Sequence, residues 1–348
     1  MDIAKRFQEN PLLKPQDLAG SGAKLQVICL LNPAVFTYQH KIYLLVRVAE
    51  SVAPQEGKLF IPMRMANNLL EIIELKLDDP DLINTDARII NYKGLDYLTT
   101  ISYLRLFSTE NGISFRPEPL QLHGIGASER YGIEDCRVSK IEDVYYLTYT
   151  AVSENGVAVG LRTTKNWQQF DYLGLIFPPH NKDVALFEEK INGKFYALHR
   201  PTSKEIGGNY IWLAQSLDGV HWGNHQCVLK SRAKHWDSAR VGAGAAPIKT
   251  AKGWLMIYHG ANYQHRYCLG AALLDLQNPA VVLARTESPI MEPMESYELS
   301  GFFGSVVFTN GHLINDDELT IYYGAADEFI CGAKFSIAEI MGELKWID

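Results

Sequence analysis

Val144-Tyr145-Tyr146-Leu147-Thr148-Tyr149 is an aromatic-rich apolar strand that ends on polar groups, and it has relatives elsewhere in the chain. They are Ile42-Tyr43-Leu44-Leu45-Val46-Arg47, Phe195-Tyr196-Ala197-Leu198-His199-Arg200, Trp254-Leu255-Met256-Ile257-Tyr258-His259 and Leu319-Thr320-Ile321-Tyr322-Tyr323-Gly324. A turn precedes nearly every copy. Self-similarity at a spacing of about 40 to 50 residues or more marks a repeat architecture, and an all-β unit of that size suggests a propeller blade. The repeated strands of such a fold point the same way, so their ends converge on one face around a central axis. Arg47, Arg200, His259 and Asp327 lie at or just past these ends. Residues scattered over the whole sequence are thereby expected to meet in one pocket. The expected fold is an all-β, five-bladed β-propeller over residues 1–348 as a single domain, with short terminal or peripheral helical segments at most.

Composition sets the outer bounds. The chain has 348 residues, 47% hydrophobic and 21% charged, which is ordinary globular usage with ample material for a large core. The net charge of −7 argues against a nucleic-acid binder, which needs an excess of Lys and Arg. Met1-Asp2-Ile3-Ala4-Lys5-Arg6 leads into no apolar stretch of the secretory type, and no apolar run approaches the roughly 20 residues of a membrane span. A cytoplasmic protein without a membrane partner is the expectation. Cys29, Cys136, Cys227, Cys268 and Cys331 are odd in number and far apart, so reduced thiols are expected rather than a disulfide framework or a zinc site.

Strand signals recur at Val27–Leu30, Tyr43–Arg47, Arg88–Tyr92, Ile101–Phe107, Val157–Arg162, Trp212–Ser216 and Val306–Phe308. Helical periodicity is scarce, the candidates being short segments near Asp316 and at Ala338–Met341. A second repeat supports the first. Ser108-Thr109-Glu110-Asn111-Gly112-Ile113-Ser114-Phe115, Ser216-Leu217-Asp218-Gly219-Val220-His221-Trp222 and Thr163-Thr164-Lys165-Asn166-Trp167 each follow an apolar strand and end on an aromatic. They are similar to the Asp-box turns of sialidase-like propellers. Pro11-Leu12-Leu13-Lys14-Pro15 and Pro289-Ile290-Met291-Glu292-Pro293 form a third pair, expected to be equivalent outer strands.

Gly132-Ile133-Glu134-Asp135-Cys136-Arg137 packs two acids and a base into four positions. It reads either as a solvated loop with an Asp–Arg pair or as a site whose charges tune a proton donor. Asn181-Lys182-Asp183 and His199-Arg200-Pro201 flank a strand pair. Two cations at one strand end favour an anion between them, and phosphate suits a guanidinium fork beside an ammonium. Without that geometry they are two surface cations. His259 and Tyr267, taken alone, read as rim or packing residues. Gly242-Ala243-Gly244-Ala245-Ala246-Pro247 and Gly124-Ile125-Gly126-Ala127 lack the strand–helix setting of a dinucleotide site. No G-x-S-x-G elbow or metal-ligand spacing is present, so no metal and no organic cofactor are expected.

In combination these segments resemble glycoside hydrolase family 130, the β-mannoside phosphorylases. Glu134-Asp135-Cys136-Arg137-Val138 with Tyr145-Tyr146-Leu147-Thr148-Tyr149-Thr150-Ala151 is similar to that family's E-D-P-R-[IV]…Y-Y-L-T-Y-T-A stretch. Asn181–Phe187, His199-Arg200-Pro201, Trp236-Asp237-Ser238, Gly242-Ala243-Gly244, Ile257–Gly260, Leu269–Leu276 and Tyr323–Asp327 follow in the family's order, from about Asn32 onward. Singly none is specific; together they are. The resemblance implies that Asp135 is the proton donor, that Lys182, Arg200, His259 and Tyr267 bind phosphate, and that Asn32, Arg47, Glu134, Asp183 and Asp327 contact the mannoside. Cys136 replaces the usual Pro, Ala245-Ala246 a Pro pair, and Ser305 sits where Asn is common.

The reaction so implied is inverting phosphorolysis: inorganic phosphate, the co-substrate, attacks the anomeric carbon of a terminal β-mannoside and gives α-mannose 1-phosphate. An inverting hydrolase needs a second carboxylate to activate water. A phosphorylase replaces it with cations that hold an anionic nucleophile opposite the leaving group. An inverting β-1,2-mannosidase and a non-catalytic sugar-binding propeller are the competing readings. The first is expected to lack the phosphate cations, and the second has no use for Asp135. A general likeness over Asn32–Glu50 favours β-1,2-mannobiose or short oligomannan. A homo-oligomer is compatible with the sequence.

Overall fold

A computed structural model of the protein describes residues 2–22, 24–65, 67–84, 88–202 and 206–347. The architecture is all-β, with five antiparallel sheets of four or more strands and two small sheets among the described residues. The first sheet orders Leu25–Tyr38, Lys41–Val52, Ile101–Thr109 and Arg116–Leu122. The second runs Ile133–Ile141, Val144–Ser153, Gly156–Thr164, Asp171–Phe177, and the third Asn181–Leu186, Phe195–Pro201, Ile211–Ser216, Trp222–Leu229. In the fourth, Arg240–Ala243, Gly253–Ala261, Tyr267–Leu274 and Val282–Thr286 are extended by the C-terminal strand Leu344–Trp346. The fifth sheet comprises Val307–Asn315, Glu318–Ala325, Phe329–Ser336 and the N-terminal strand Lys5–Arg6. Both ends of the chain are thus stitched into sheets begun elsewhere in the sequence.

The repeated aromatic strand is the second strand of every sheet. The strand before it is innermost, and the inner strands of the first, second, third and fifth sheets touch one another or their neighbours. The repeat is legible because the second strand is covered on both faces, as the unbroken buried run Leu44–Glu50 shows, and so reads as largely apolar. Apolar clusters fill each gap between consecutive sheets. Phe36, Leu45, Leu147 and Tyr149 join the first to the second, and Val159, Leu161, Val184 and Leu186 the second to the third. Leu198, Leu213, Met256 and Tyr258 join the third to the fourth. Leu255, Leu269, Ile321 and Tyr323 join the fourth to the fifth, and Val46, Phe107, Tyr322 and Ile330 join the fifth back to the first.

The polar turns are the same local device three times. The Thr109, Thr164 and Ser216 hydroxyls each accept a backbone N–H from the turn that follows. Asn111, Asn166 and Asp218 then accept from two further backbone N–H groups each. Each joins the third strand of a sheet to its fourth. Asp275 makes a fourth turn with Gln277 and Asn278 that sequence comparison did not single out. The proline-flanked segments are not outer strands; each makes one antiparallel bridge to a third strand, Leu13 to Ile330 and Met291 to Leu269. Proline cannot sustain a ladder. The helix at Ile337–Glu343 covers the expected Ala338–Met341 and is capped by Ser336, whose hydroxyl accepts from the Glu339 N–H. Asp316 lies in a turn, and a one-turn helix stands at Ser296–Leu299. All five cysteines are free thiols, with Cys227 half-buried and the others buried.

Candidate active site

The inner strands share a defect that builds the site. Each of the first three carries a β-bulge, between Leu31 and Ala34, Glu134 and Arg137, and Lys182 and Ala185. Asn32, Asp135 and Asp183 stand at these bulges in the left-handed region, with φ of 41°, 48° and 56°. Asn and Asp tolerate this conformation better than other non-glycine residues. A bulge re-aims a side chain that the pleat would otherwise bury between sheets. Asn32, Asp135 and Asp183 are accordingly buried yet line a common pocket. Its volume is about 440 Å³, in the usual range for small-molecule sites.

All ten residues singled out from the sequence line this pocket: Asn32, Arg47, Glu134, Asp135, Lys182, Asp183, Arg200, His259, Tyr267 and Asp327. The segment around Asp135 is not a solvated loop but the buried start of an inner strand, and its partner is not the Arg137 side chain. The Asp135 Oδ1 accepts from Asn32 Nδ2 and from Arg47 Nη1, both at 3.1 Å. Arg47 also donates to Glu134 Oε1 at 2.7 Å and to Ser102 Oγ at 3.1 Å, so one guanidinium aligns both carboxylates. Gly132, with φ of 103°, permits this approach: a Cβ there would lie 2.3 Å from the Ser102 carbonyl oxygen. Burial alone would raise the Asp135 pKa, but Arg47, Lys182 and Arg137 outweigh it and hold the group below its ordinary value. Asp327, just past the fifth sheet's second strand, is pushed up to about 6 by burial, with Asp135 adding to the rise.

A second cluster occupies the other part of the pocket. Lys182 and Arg200 are register partners on adjacent strands. Arg200 Nε lies 3.0 Å from Asp183 Oδ2, and His259 Nε2 lies 3.3 Å from the same oxygen. Asp183 is therefore faced by a guanidinium and an imidazole, and its carboxyl is held well below its ordinary pKa by Arg200, His259 and Arg137 against the opposing effect of burial. Gly242 explains one glycine of the Gly-rich segment: a Cβ there would meet Asp183 Oδ2 and His259 Nε2 at 2.4 Å. Burial lowers His259 to about 4, so the ring is neutral at pH 7. Burial and neighbouring Arg200 lower Lys182 as well. The Tyr267 hydroxyl accepts from Arg240 Nη1 at 3.0 Å.

The sequence reading missed Arg240, Arg88, His265 and the Phe302–Gly304 edge, which also line the pocket. Arg240 opens the strand that holds Gly242, two residues past Trp236-Asp237-Ser238, and that proximity was its only signal. Trp236-Asp237-Ser238 itself does not line the pocket. Asp237 is fully buried and takes hydrogen bonds from Arg232, Arg285 and the Tyr258 hydroxyl. The arrangement as a whole can hold an uncharged polyol beside one buried carboxyl and an anion beside two cations.

The comparisons agree with this geometry. The family profile described as beta-1,4-mannooligosaccharide phosphorylase, that of glycoside hydrolase family 130, matches residues 90–346. The chain is 44% identical over 347 residues to a beta-1,2-mannobiose phosphorylase of Listeria innocua, covering 98% of each chain. It is 39% identical over 244 residues to a 1,2-beta-oligomannan phosphorylase of Thermoanaerobacter sp., covering 69% of this chain and 80% of that one. The solved structure of the beta-1,2-mannobiose phosphorylase from Listeria innocua with beta-1,2-mannobiose superposes with a TM-score of 0.94 at 43% identity, over 98% of each chain. With a profile match over most of its length and a full-length relative at this identity, the chain belongs to glycoside hydrolase family 130.

Proposed function

We propose that this enzyme is an inverting phosphorylase of terminal β-linked mannosides, acting on β-1,2-mannobiose and short β-1,2-oligomannan and releasing α-mannose 1-phosphate. One observation carries the reading: Lys182, Arg200, His259 and Tyr267 line the same pocket as the buried acid Asp135. The names of the relatives supply the linkage.

In the proposed reaction, phosphate sits against Lys182 and Arg200, with Tyr267 and neutral His259 completing its hydrogen bonds. Asn32, Arg47, Glu134 and Asp327 hold the mannose. A phosphate oxygen forms a bond to C1 from the α face while the C1–O bond to the leaving sugar breaks. The departing oxygen takes a proton that originates on Asp135, passed on by the mannose 3-hydroxyl. Held below its ordinary value, Asp135 is ionised at pH 7 and must take up a proton before it can give one. Phosphate supplies the means: an anion beside Lys182 offsets that cation and adds a negative neighbour, and both raise the Asp135 pKa. Asp183 serves this scheme better as the group that orients Arg200 and His259 than as a sugar contact, because its oxygens already face two guanidinium groups and the His259 ring. For the same reason it is a poor general base, and Glu134 is tied to Arg47, which argues against hydrolysis.

We also read the five sheets as blades of a single five-bladed β-propeller domain, on the strength of the ring of apolar interfaces that returns from the fifth sheet to the first. A cytoplasmic location fits a reaction that consumes phosphate and makes a sugar phosphate. The test is incubation with β-1,2-mannobiose with and without phosphate. Sugar phosphate that requires phosphate supports the proposal; free mannose in both arms supports a hydrolase, and no product supports a binding protein.

A further inference from the structure

Arg137 does not line the pocket, yet it touches two residues that do. It is 2% exposed, and its guanidinium spends its donors on four acceptors. Nε donates to the Gly244 carbonyl at 2.9 Å and Nη1 to the Asp135 carbonyl at 3.0 Å. Nη2 donates to the Ala243 carbonyl at 2.8 Å and to Asp183 Oδ1 at 3.4 Å. These acceptors belong to the inner strands of the second and third sheets and to the inner edge of the fourth. A bulge takes a residue out of the ladder, and a buried carbonyl left there needs another donor. The Arg137 side chain supplies it for Asp135, two residues before itself. Lys could not, since one ammonium cannot span acceptors that a planar fork reaches in three directions.

We propose that Arg137 is a positioning residue that locks Asp135 and Asp183 in one register, so that the acid and the anion-binding cluster cannot move independently. The inference rests on the functional reading above. Through Asp135 it sets where the proton donor stands; through Asp183 it sets the Arg200 and His259 contacts that face phosphate. A guanidinium that bridges the bulges at Asp135 and Asp183 and the Ala243–Gly244 edge joins the inner strands of the second, third and fourth sheets into one rigid template. The isolated inner strands would not provide that rigidity.

The experiment uses full-length Arg137→Lys and Asp183→Asn, each checked for folding by circular-dichroism melting, with rates measured from pH 5 to 9 against phosphate and against β-1,2-mannobiose. Arg137→Lys is expected to lower kcat per folded molecule by about a hundredfold, the scale of an ångström-sized misplacement. It should also raise the phosphate KM and shift the alkaline limb of the rate profile, where Asp135 loses its proton. A variant that only melts earlier, with kcat and the alkaline limb within threefold of the parent, overturns the inference and leaves the phosphorylase reading intact. If Arg137→Lys does not fold, Asp183→Asn decides: it removes the charge that faces Arg137, Arg200 and His259, so the phosphate KM moves in any case, while the three carbonyl contacts of Arg137 stay and the alkaline limb reports the link to Asp135. Movement of both the phosphate KM and the alkaline limb supports the lock; a change in phosphate KM alone overturns it. A parent that makes no sugar phosphate sinks the functional reading and this inference together.

Discussion

Replacing Arg200 by alanine removes the guanidinium held by Asp183 at 3.0 Å on a residue only 8% exposed. Because Nε faces Asp183, the terminal nitrogens remain for a bidentate contact to phosphate. A hydrogen bond to a charged group contributes about 1.5–3 kcal/mol, so losing such a contact should cost about 3 kcal/mol of phosphate binding. At about 1.4 kcal/mol per tenfold, the phosphate KM should rise by roughly a hundredfold. Asp183 keeps Arg137 and His259 as partners, so the substitution does not strand a buried charge and the fold should persist. The mannose contacts lie on other strands, and the mannobiose KM at saturating phosphate should stay within about threefold by the usual independence of distant sites. Initial rates over a matrix of phosphate and mannobiose concentrations give both constants. An unchanged phosphate KM, or equal losses for both substrates, would refute the assignment of an anion site to Arg200.

Asp135→Asn should lower kcat by about a thousandfold or more with an unaltered melting curve, since general-acid catalysis contributes roughly 10²–10⁴; near-parental turnover removes Asp135 as the donor. Asp327 is raised to about 6, so it is ionised at pH 7 and protonates as pH falls through that value, losing its strength as an acceptor for a sugar hydroxyl. The mannobiose KM should therefore climb about tenfold between pH 7 and pH 5, and Asp327→Asn should flatten that limb while raising the KM at pH 7. Gly242→Ala forces Asp183 and His259 apart and should raise the phosphate KM several-fold; kinetics identical to the parent would show that the close approach is dispensable. Glu298, fully buried, accepts from Arg6 Nε and the Tyr323 hydroxyl, both at 2.7 Å. Glu298→Ala leaves Arg6 without that partner and should destabilise the fold by about 3–5 kcal/mol, read by denaturant unfolding.

How far the residues spoke for the fold depended on which strand they came from. The second strand of each sheet is apolar on both faces and announces itself, as Val144–Tyr149 does. The inner strand is legible only in pieces, as at Val27–Leu30, because Asn32-Pro33, Asp135 and Asp183 interrupt the alternation at the points where the backbone bulges. The functional side chains stand there for the same reason, so the signal for a strand is weakest where the chemistry is strongest. Arg240 went unrecognised and Arg137 was read only as a charge beside Asp135, since an arginine in a strand reads as a surface residue and only tertiary packing shows Arg137 buried among carbonyls. The small sheets at Lys58–Arg64 with Leu70–Lys76, and at Leu82–Asn84, Ile89–Tyr92 and Leu95–Leu98, are inserted within the first sheet. They follow no repeat, and Ile73 and Leu95 on them stay exposed. The one-turn helix at Ser296–Leu299 is too short to show a period.

A crystal of the enzyme soaked with orthophosphate and β-1,2-mannobiose puts the central claim under the most direct scrutiny. The account predicts a tetrahedral anion against Arg200 and Lys182, on the α side of the mannose C1, with the Asp135 carboxyl on the opposite side of the scissile bond. A water molecule held there by a carboxylate, with no anion near either cation, would contradict it.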